Sequence, residues 1–231
     1  MKAWAVAAAI FAATPVWAAS DCILDNCADR RPAASAPREN SSSGKFDYYV
    51  LALSWSPSFC ANGGAQKSRF QCAPGANPGF VVHGLWPQLA HGYAPPCHSG
   101  GFLPYAVVTS LRDLYPDDGL ARHEWRAHGA CSGKSPSAYF ADVRAARAAV
   151  AIPPEFLAPR EDLTLSPLDV QRAFLKTNPR LRPGMMAVTC GGGELREARI
   201  CLSKDLRDFV ACPEVARRGC FSQTIVAPAG Q

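Results

Sequence analysis

The chain reads as an α+β fold, a single disulfide-stapled domain in which a central antiparallel sheet is packed by helices. Three observations predict it. Strand-like segments lie early and late with helical ones between them; ten cysteines are spread along the chain; and no second linker or internal repeat follows residue 45. Strands gathered apart from helices mark this class. The stretch from Phe46 to Gln231 is ample for one domain.

Phe46–Trp55 is rich in aromatic and branched residues and predicts the first strand, and Gly79–Leu85 predicts the second. Phe102–Tyr115 carries apolar residues at helical spacing and should end at Pro116. Asp117 or Asp118 is placed to cap a helix running to about His128, with Gly129 ending it. Ser135-Pro136 and Ser166-Pro167 are helix starts, a capping hydroxyl followed by proline in the first turn. Gly184–Cys190 and Glu194–Ser203 predict two strands joined as a hairpin through Gly191-Gly192-Gly193.

The N-terminus predicts export. In residues 1–19 Lys2 is the only charge, an apolar run follows from Ala3 to Ala13, and small residues come at Ala18, Ala19 and Ser20. That run is too short to span a bilayer, so a cleaved signal peptide is the reading. Residues 20–45 form a flexible N-terminal segment whose part from Ala28 to Lys45 is poor in core-forming residues. The globular domain is assigned to residues 46–231. The ten cysteines form an even set without a Cys-x-x-Cys pair, which fits disulfides in an oxidising compartment better than a zinc site. The expectation is a secreted or periplasmic monomer, not bound to a membrane and without metal or other cofactor. The net charge of +5, Lys2 included, suits a polyanionic partner without specifying one.

Chemistry concentrates in two stretches, Phe80-Val-Val-His-Gly-Leu-Trp-Pro87 and His123-Glu-Trp-Arg-Ala-His-Gly129, which hold three of the five histidines. His123-Glu124 with a later histidine invites a zinc-protease reading. His123 and His128, however, are five residues apart, about 140° around a helix, too far for one tetrahedral ion. Glu124 and His128 are separated by only about 40°, which places a carboxylate beside an imidazole. Imidazoles of opposite protonation state supply the base and the acid needed to cleave an RNA phosphodiester, whose 2′-hydroxyl is its own nucleophile. Three structural histidines are the weaker reading, because core filling does not account for their grouping beside a glutamate.

On His83-Gly84-Leu85-Trp86-Pro87, and on His123-Glu124-Trp125 with His128-Gly129 and Cys131, the chain resembles the ribonuclease T2 family over most of residues 46–220. The resemblance implies an endoribonuclease of low base specificity acting on single-stranded RNA. It implies His128 as general base, His83 as general acid, His123 as phosphate ligand and Glu124 as stabiliser of the pentacovalent state. The product would be a 2′,3′-cyclic phosphate, later hydrolysed to a 3′-phosphate. Trp86 would stack a base and Gln88 touch a base edge; Tyr93 is a weaker candidate. Trp55, Trp125 and Tyr139 are assigned to packing, and His91 and His98 to a solvated loop. The resemblance also implies the pairs Cys97–Cys131, Cys190–Cys220, Cys201–Cys212 and Cys60–Cys72, leaving Cys22 with Cys27.

One position departs from the family pattern. Ala127 stands where a lysine usually precedes the last histidine, and losing such a cation costs on the order of 10²-fold in rate. Arg126 is the expected substitute. The alternative is a catalytically weak relative that binds RNA or a protein partner, although a pure binder has no need of an acid–base pair.

Overall fold

The computed structural model describes residues 44–76, 79–91, 97 and 101–230. The leader, the Cys22–Cys27 pair, Tyr93 and His98 lie outside them. Twelve regular elements follow in the order β1 (Tyr48–Trp55), α1 (Ser56–Ala61), β2 (Phe80–Gln88), α2 (Tyr105–Thr109), α3 (Asp118–Ala127), α4 (Pro136–Ala148), β3 (Leu163–Leu165), α5 (Pro167–Thr177), β4 (Met186–Gly191), β5 (Glu194–Ser203), α6 (Pro213–Ala216) and β6 (Ile225–Ala227). The strands form one sheet in the order β2-β1-β5-β6-β3, with β4 also on β5. The pairings are antiparallel except for a single parallel contact between β5 and β6.

β1 explains the layering. Its alternate residues Tyr49, Leu51, Leu53 and Trp55 face the main core and are fully buried. There they meet Tyr139, Phe140 and Val143 of α4 and Val170 and Phe174 of α5. Trp55, Phe80, Phe156 and Phe174 interlock, largely edge to face, with centroids 4.9 to 6.3 Å apart. Such geometry adds to the area term for aromatic burial. The opposite face of β1 carries Tyr48, Val50, Ala52 and Ser54, and the middle of that row is small.

Both predicted Ser-Pro starts are present. Ser135 accepts from Ala138 N at 3.3 Å, and Ser166 forms a reciprocal capping box with Asp169. Asp117, rather than Asp118, caps α3, accepting from Gly119 N at 2.6 Å. β2 runs past its expected end to Gln88, pairing Tyr48 with Gln88. Pro87 is tolerated because β2 is an edge strand with no further ladder to supply. The hairpin turns on Gly192 and Gly193, with φ of 64° and 80°, the left-handed pair a tight two-residue turn demands.

The expected helix over Phe102–Tyr115 is cut to Tyr105–Thr109. Thr109 and Ser110 bond their hydroxyls back to Ala106 O and Val107 O. Beyond them the chain continues as tight turns, with Leu111 N on Val108 O and Leu114 N on Leu111 O. Hydroxyl side chains competing for backbone carbonyls end the helix that apolar spacing alone predicts. The short elements α1, α6, β3 and β6 had no periodic signature and were not expected.

Candidate active site

The site is built where β2 departs from regular pairing. Ala52 pairs with Gly84 and Leu53 with Val82, so His83 has no opposite number on β1. It is the extra residue of a β-bulge. Val82 and Leu85 stay in the core while His83 and Gly84 both fall on the opposite face. Bulges re-aim side chains in this way.

α3 brings the second stretch against that bulge. Glu124 is fully buried and Trp125 nearly so; the Trp125 indole N–H donates to Gly101 O at 3.0 Å. His128 closes the helix as its C-cap, with φ −136° and ψ −50°, and its N–H bonds Glu124 O at 3.0 Å. The helix thus ends one residue before His128, whose ring swings beside the carboxylate of the preceding turn.

Glu124 is the hub. Its Oε1 lies 3.7 Å from His83 Nε2 and 4.0 Å from His123 Nε2, and its Oε2 lies 4.0 Å from His128 Nε2. The Trp86 indole N–H donates to Oε2 at 2.9 Å. Oε1 is buried without a hydrogen-bond partner among the described residues, an acceptor aimed at the space between His83 and His123. Gly84 makes the approach feasible. A Cβ there would sit 2.5 Å from Trp86 Nε1, 2.7 Å from Glu124 Cδ and closer still to Oε2.

Environment separates the protonation states. Burial, with the charges of His123 and His83, pushes His128 down to about 4. Burial opposes charge on His83 too, but the hydrogen bond and charge of Glu197, with Glu124 behind, outweigh it and raise that ring above 6.5. Burial lifts Glu124 to about 7, against the opposing pull of His83 and Trp86. At neutral pH His128 is a free base, while His83 keeps its proton to a higher pH than an ordinary imidazole.

His83 and His123 open on a cavity of about 710 Å³. His123 is 61 % exposed at its side chain. Trp86 is half-buried, its ring 5.3 Å from each of His83 and His128, with the Arg199 guanidinium 5.2 Å over it. Gln88 shares a smaller cavity of about 140 Å³ with Trp86, Arg199 and Arg218. Arg126 is placed elsewhere: it lines a separate cavity with Gly101, Phe102 and Trp125. On α3 it lies about 160° around the axis from Glu124. The cations of the His83 cavity are instead Lys67, Arg196, Arg199 and Arg218. Sequence reading missed these, together with Glu197. Its one available signal was a glutamate among the apolar residues of a strand.

The disulfides Cys60–Cys72, Cys97–Cys131, Cys190–Cys220 and Cys201–Cys212 are formed as expected. Cys97–Cys131 fastens the loop after β2 to the turn following His128. Closing a loop of that length stabilises by about 3 to 4 kcal/mol. Trp55 and Tyr139 are core residues, and the Tyr139 hydroxyl donates to Leu85 O at 2.8 Å. His91 is exposed. Among the described residues no His, Cys, Asp and Glu group is arranged to hold a metal, and no helix is long and apolar enough to cross a membrane.

Two imidazoles whose surroundings shift their pKa values in opposite directions flank one buried carboxylate, an arrangement suited to acid–base chemistry. The comparisons with known proteins agree and narrow the class. The ribonuclease T2 family model matches residues 46–212. A ribonuclease of Aeromonas hydrophila is 35 % identical over 186 residues, covering 78 % of this chain and 83 % of the relative. Ribonuclease I of Escherichia coli is 27 % identical over 211 residues, 70 % and 77 % of the two chains. Among solved structures, an RNase-related protein from Calystegia sepium superposes with a TM-score of 0.65 at 20 % identity, covering 80 % of this chain and 98 % of that one. RNase NT, solved in complex with 5′-AMP, gives 0.55 at 21 %, covering 78 % and 97 %. The chain belongs to the ribonuclease T2 family and is a ribonuclease.

Proposed function

We propose that the protein is an exported endoribonuclease that cleaves single-stranded RNA by transphosphorylation. His128, neutral and 4.0 Å from Glu124, takes the proton of the 2′-hydroxyl as its oxygen attacks phosphorus. His83, protonated at Nε2, gives that proton to the 5′-oxygen as the P–O5′ bond breaks. A 2′,3′-cyclic phosphate results. In the second half the roles reverse, His83 activating water and His128 protonating the departing 2′-oxygen, to leave a 3′-phosphate.

Glu124, close to its midpoint at neutral pH, presents Oε1 toward the same space. Protonated, it donates to a phosphorane oxygen; ionised, it steadies the imidazolium groups. His123, exposed at the cavity mouth, binds phosphate. Trp86 and Gln88 contact the base with little discrimination, since stacking tolerates every base. Residues 1–19 act as the export signal, residues 20–45 as a tether and residues 46–231 as the enzyme, which works as a soluble monomer. The observation that carries this reading is the placing of His83 and His128 within 4.0 Å of one buried carboxylate, in surroundings that shift the two rings in opposite directions. Groups whose environments drive their pKa values apart mark an acid–base pair.

Product analysis on a dinucleotide with and without its 2′-hydroxyl tests the proposal. A cyclic phosphate from the ribo form, with the deoxy form intact, is expected. Cleavage of the deoxy form would refute it. RNA retained without cleavage would favour a binding relative.

A further inference from the structure

A second carboxylate stands behind His83, on the side away from Glu124. Glu197 of β5 is 8 % exposed, and its Oε1 lies 2.6 Å from His83 Nδ1. Its Oε2 accepts from Arg199 Nε at 2.8 Å and pairs with Arg199 Nη2 at 2.7 Å. His83 and Glu197 belong to strands separated by β1, so their backbones lie roughly 10 Å apart. The intervening β1 residues on this face are small: Ser54 lies opposite Glu197, and Ala52 opposite Arg199 and Gly84. Two long side chains therefore meet over β1 without obstruction. Neither Glu197 nor Arg199 belongs to the two histidine segments.

We propose that Glu197 is the positioning residue of His83, holding the ring with Nδ1 protonated and Nε2 turned toward Glu124 and the reacting phosphate, while Arg199 clamps the Glu197 carboxylate from its far side. This rests on the reading of His83 as the acid.

An anionic carboxylate at Nδ1 requires a proton there, because two acceptors do not bond. Glu197 is anionic despite its burial, since the His83 hydrogen bond and the Arg199 charge hold it below the usual carboxylate range. When His83 yields its Nε2 proton to the leaving oxygen, the neutral ring keeps Nδ1–H and its orientation. That same bare Nε2 is what the hydrolytic step needs to accept a proton from water. Glu197 itself gains no proton at either stage.

The other charges around the ring act in both directions. Glu124 of α3 favours the imidazolium from 3.7 Å. His123 and His128 of the same segment carry the opposite influence when protonated. Arg199 opposes charge on His83 directly, as its distance behind Glu197 dictates. Lys67 and Arg196 add positive charge along the same cavity, with Asp117 at its α3 end. Glu197 is the group in direct contact with the ring, so its loss should dominate.

Nitrogen-15 NMR of the histidine rings gives the test, with His83 assigned by comparison with a His83→Asn variant. In the unmutated protein above its titration midpoint, His83 should be the Nδ1–H tautomer; finding Nε2–H would overturn the proposal without need of any variant. Glu197→Gln keeps size and polarity but removes the charge. Its His83 midpoint should fall by roughly 1 to 2 pH units, the size of shift an adjacent opposite charge produces. The alkaline limb of kcat/KM on a dinucleotide should fall with it, a tenfold loss per unit at pH values above both. Glu197→Ala should lower the midpoint at least as far. An unmoved midpoint in either variant refutes the assignment, whereas a merely structural salt bridge would leave both readouts in place. A protein that shows the tautomer and the shift but does not cleave RNA would sink the proposed function alone.

Discussion

Gly84→Ala is the substitution that most directly tests how the site is assembled. Its added methyl would stand 2.5 Å from Trp86 Nε1 and 2.7 Å from Glu124 Cδ, each about an ångström inside ordinary contact. Both neighbours are fixed at their backbones. Glu124 sits on α3, anchored by buried Trp125, and Trp86 is held in the β1–β2 ladder opposite Val50. The Trp86–Glu124 hydrogen bond, 2.9 Å long, is the contact that gives way. Losing a hydrogen bond to a buried carboxyl costs about 1.5 to 3 kcal/mol, and misplacing a catalytic group by an ångström costs on the order of 10²-fold in rate. Steady-state cleavage of a dinucleotide should therefore show kcat/KM down by about 10²-fold or more, accompanied by a lower Tm. Gly101→Ala is the control, because a Cβ there meets open space. A Gly84→Ala enzyme with the turnover and Tm of Gly101→Ala would refute the close packing of Glu124 on the bulge.

The pH profile of kcat/KM should be bell-shaped, with an acid limb at about 4 where His128 gains a proton and an alkaline limb above 6.5 where His83 loses one; a flat profile from pH 3 to 10 would contradict the two-imidazole scheme. Arg126→Ala should leave turnover within about twofold, since surface changes away from a site act weakly and Arg126 lines a separate cavity; a fall near 10²-fold would restore it as the substitute for the missing lysine. Stability should also respond to His128. With its folded pKa lowered from 6.5 to about 4, its contribution is present above pH 6.5 and lost as pH falls toward 4. Tm measured between pH 7 and 4 should therefore decline less in His128→Asn than in the unmutated protein, and equal slopes would count against a depressed His128.

Much of the fold was legible because its signals are local. Ser135-Pro136 and Ser166-Pro167 carry their own caps, and Gly192-Gly193 carries its own turn. The second strand was read too short because proline at position 87 argues against a strand unless that strand is known to be an edge. The helix over Phe102–Tyr115 was read too long because periodicity does not register two hydroxyls turning back on the backbone. β3 and β6 have three residues each, too few to show any period, and exist by pairing with each other and, for β6, with the start of β5.

The site divides along the same line. His123, Glu124 and His128 were found because they lie within one short segment, where spacing becomes angle, and His83 because it stands in the other motif that carries the family resemblance. What the spacing cannot give is the difference between the two imidazoles proposed to carry the proton transfers. That difference comes from a glutamate 114 residues beyond His83, delivered by a strand that β1 separates from it. A bulge aims His83 outward, two small β1 residues leave the path open, and the His83 hydrogen bond with the Arg199 charge keeps the distant carboxylate ionised. Remove that arrangement and both histidines become ordinary half-buried rings whose charge burial disfavours alike. In the proposed mechanism the motif supplies two proton carriers, and the sheet sets which of them keeps its proton to the higher pH.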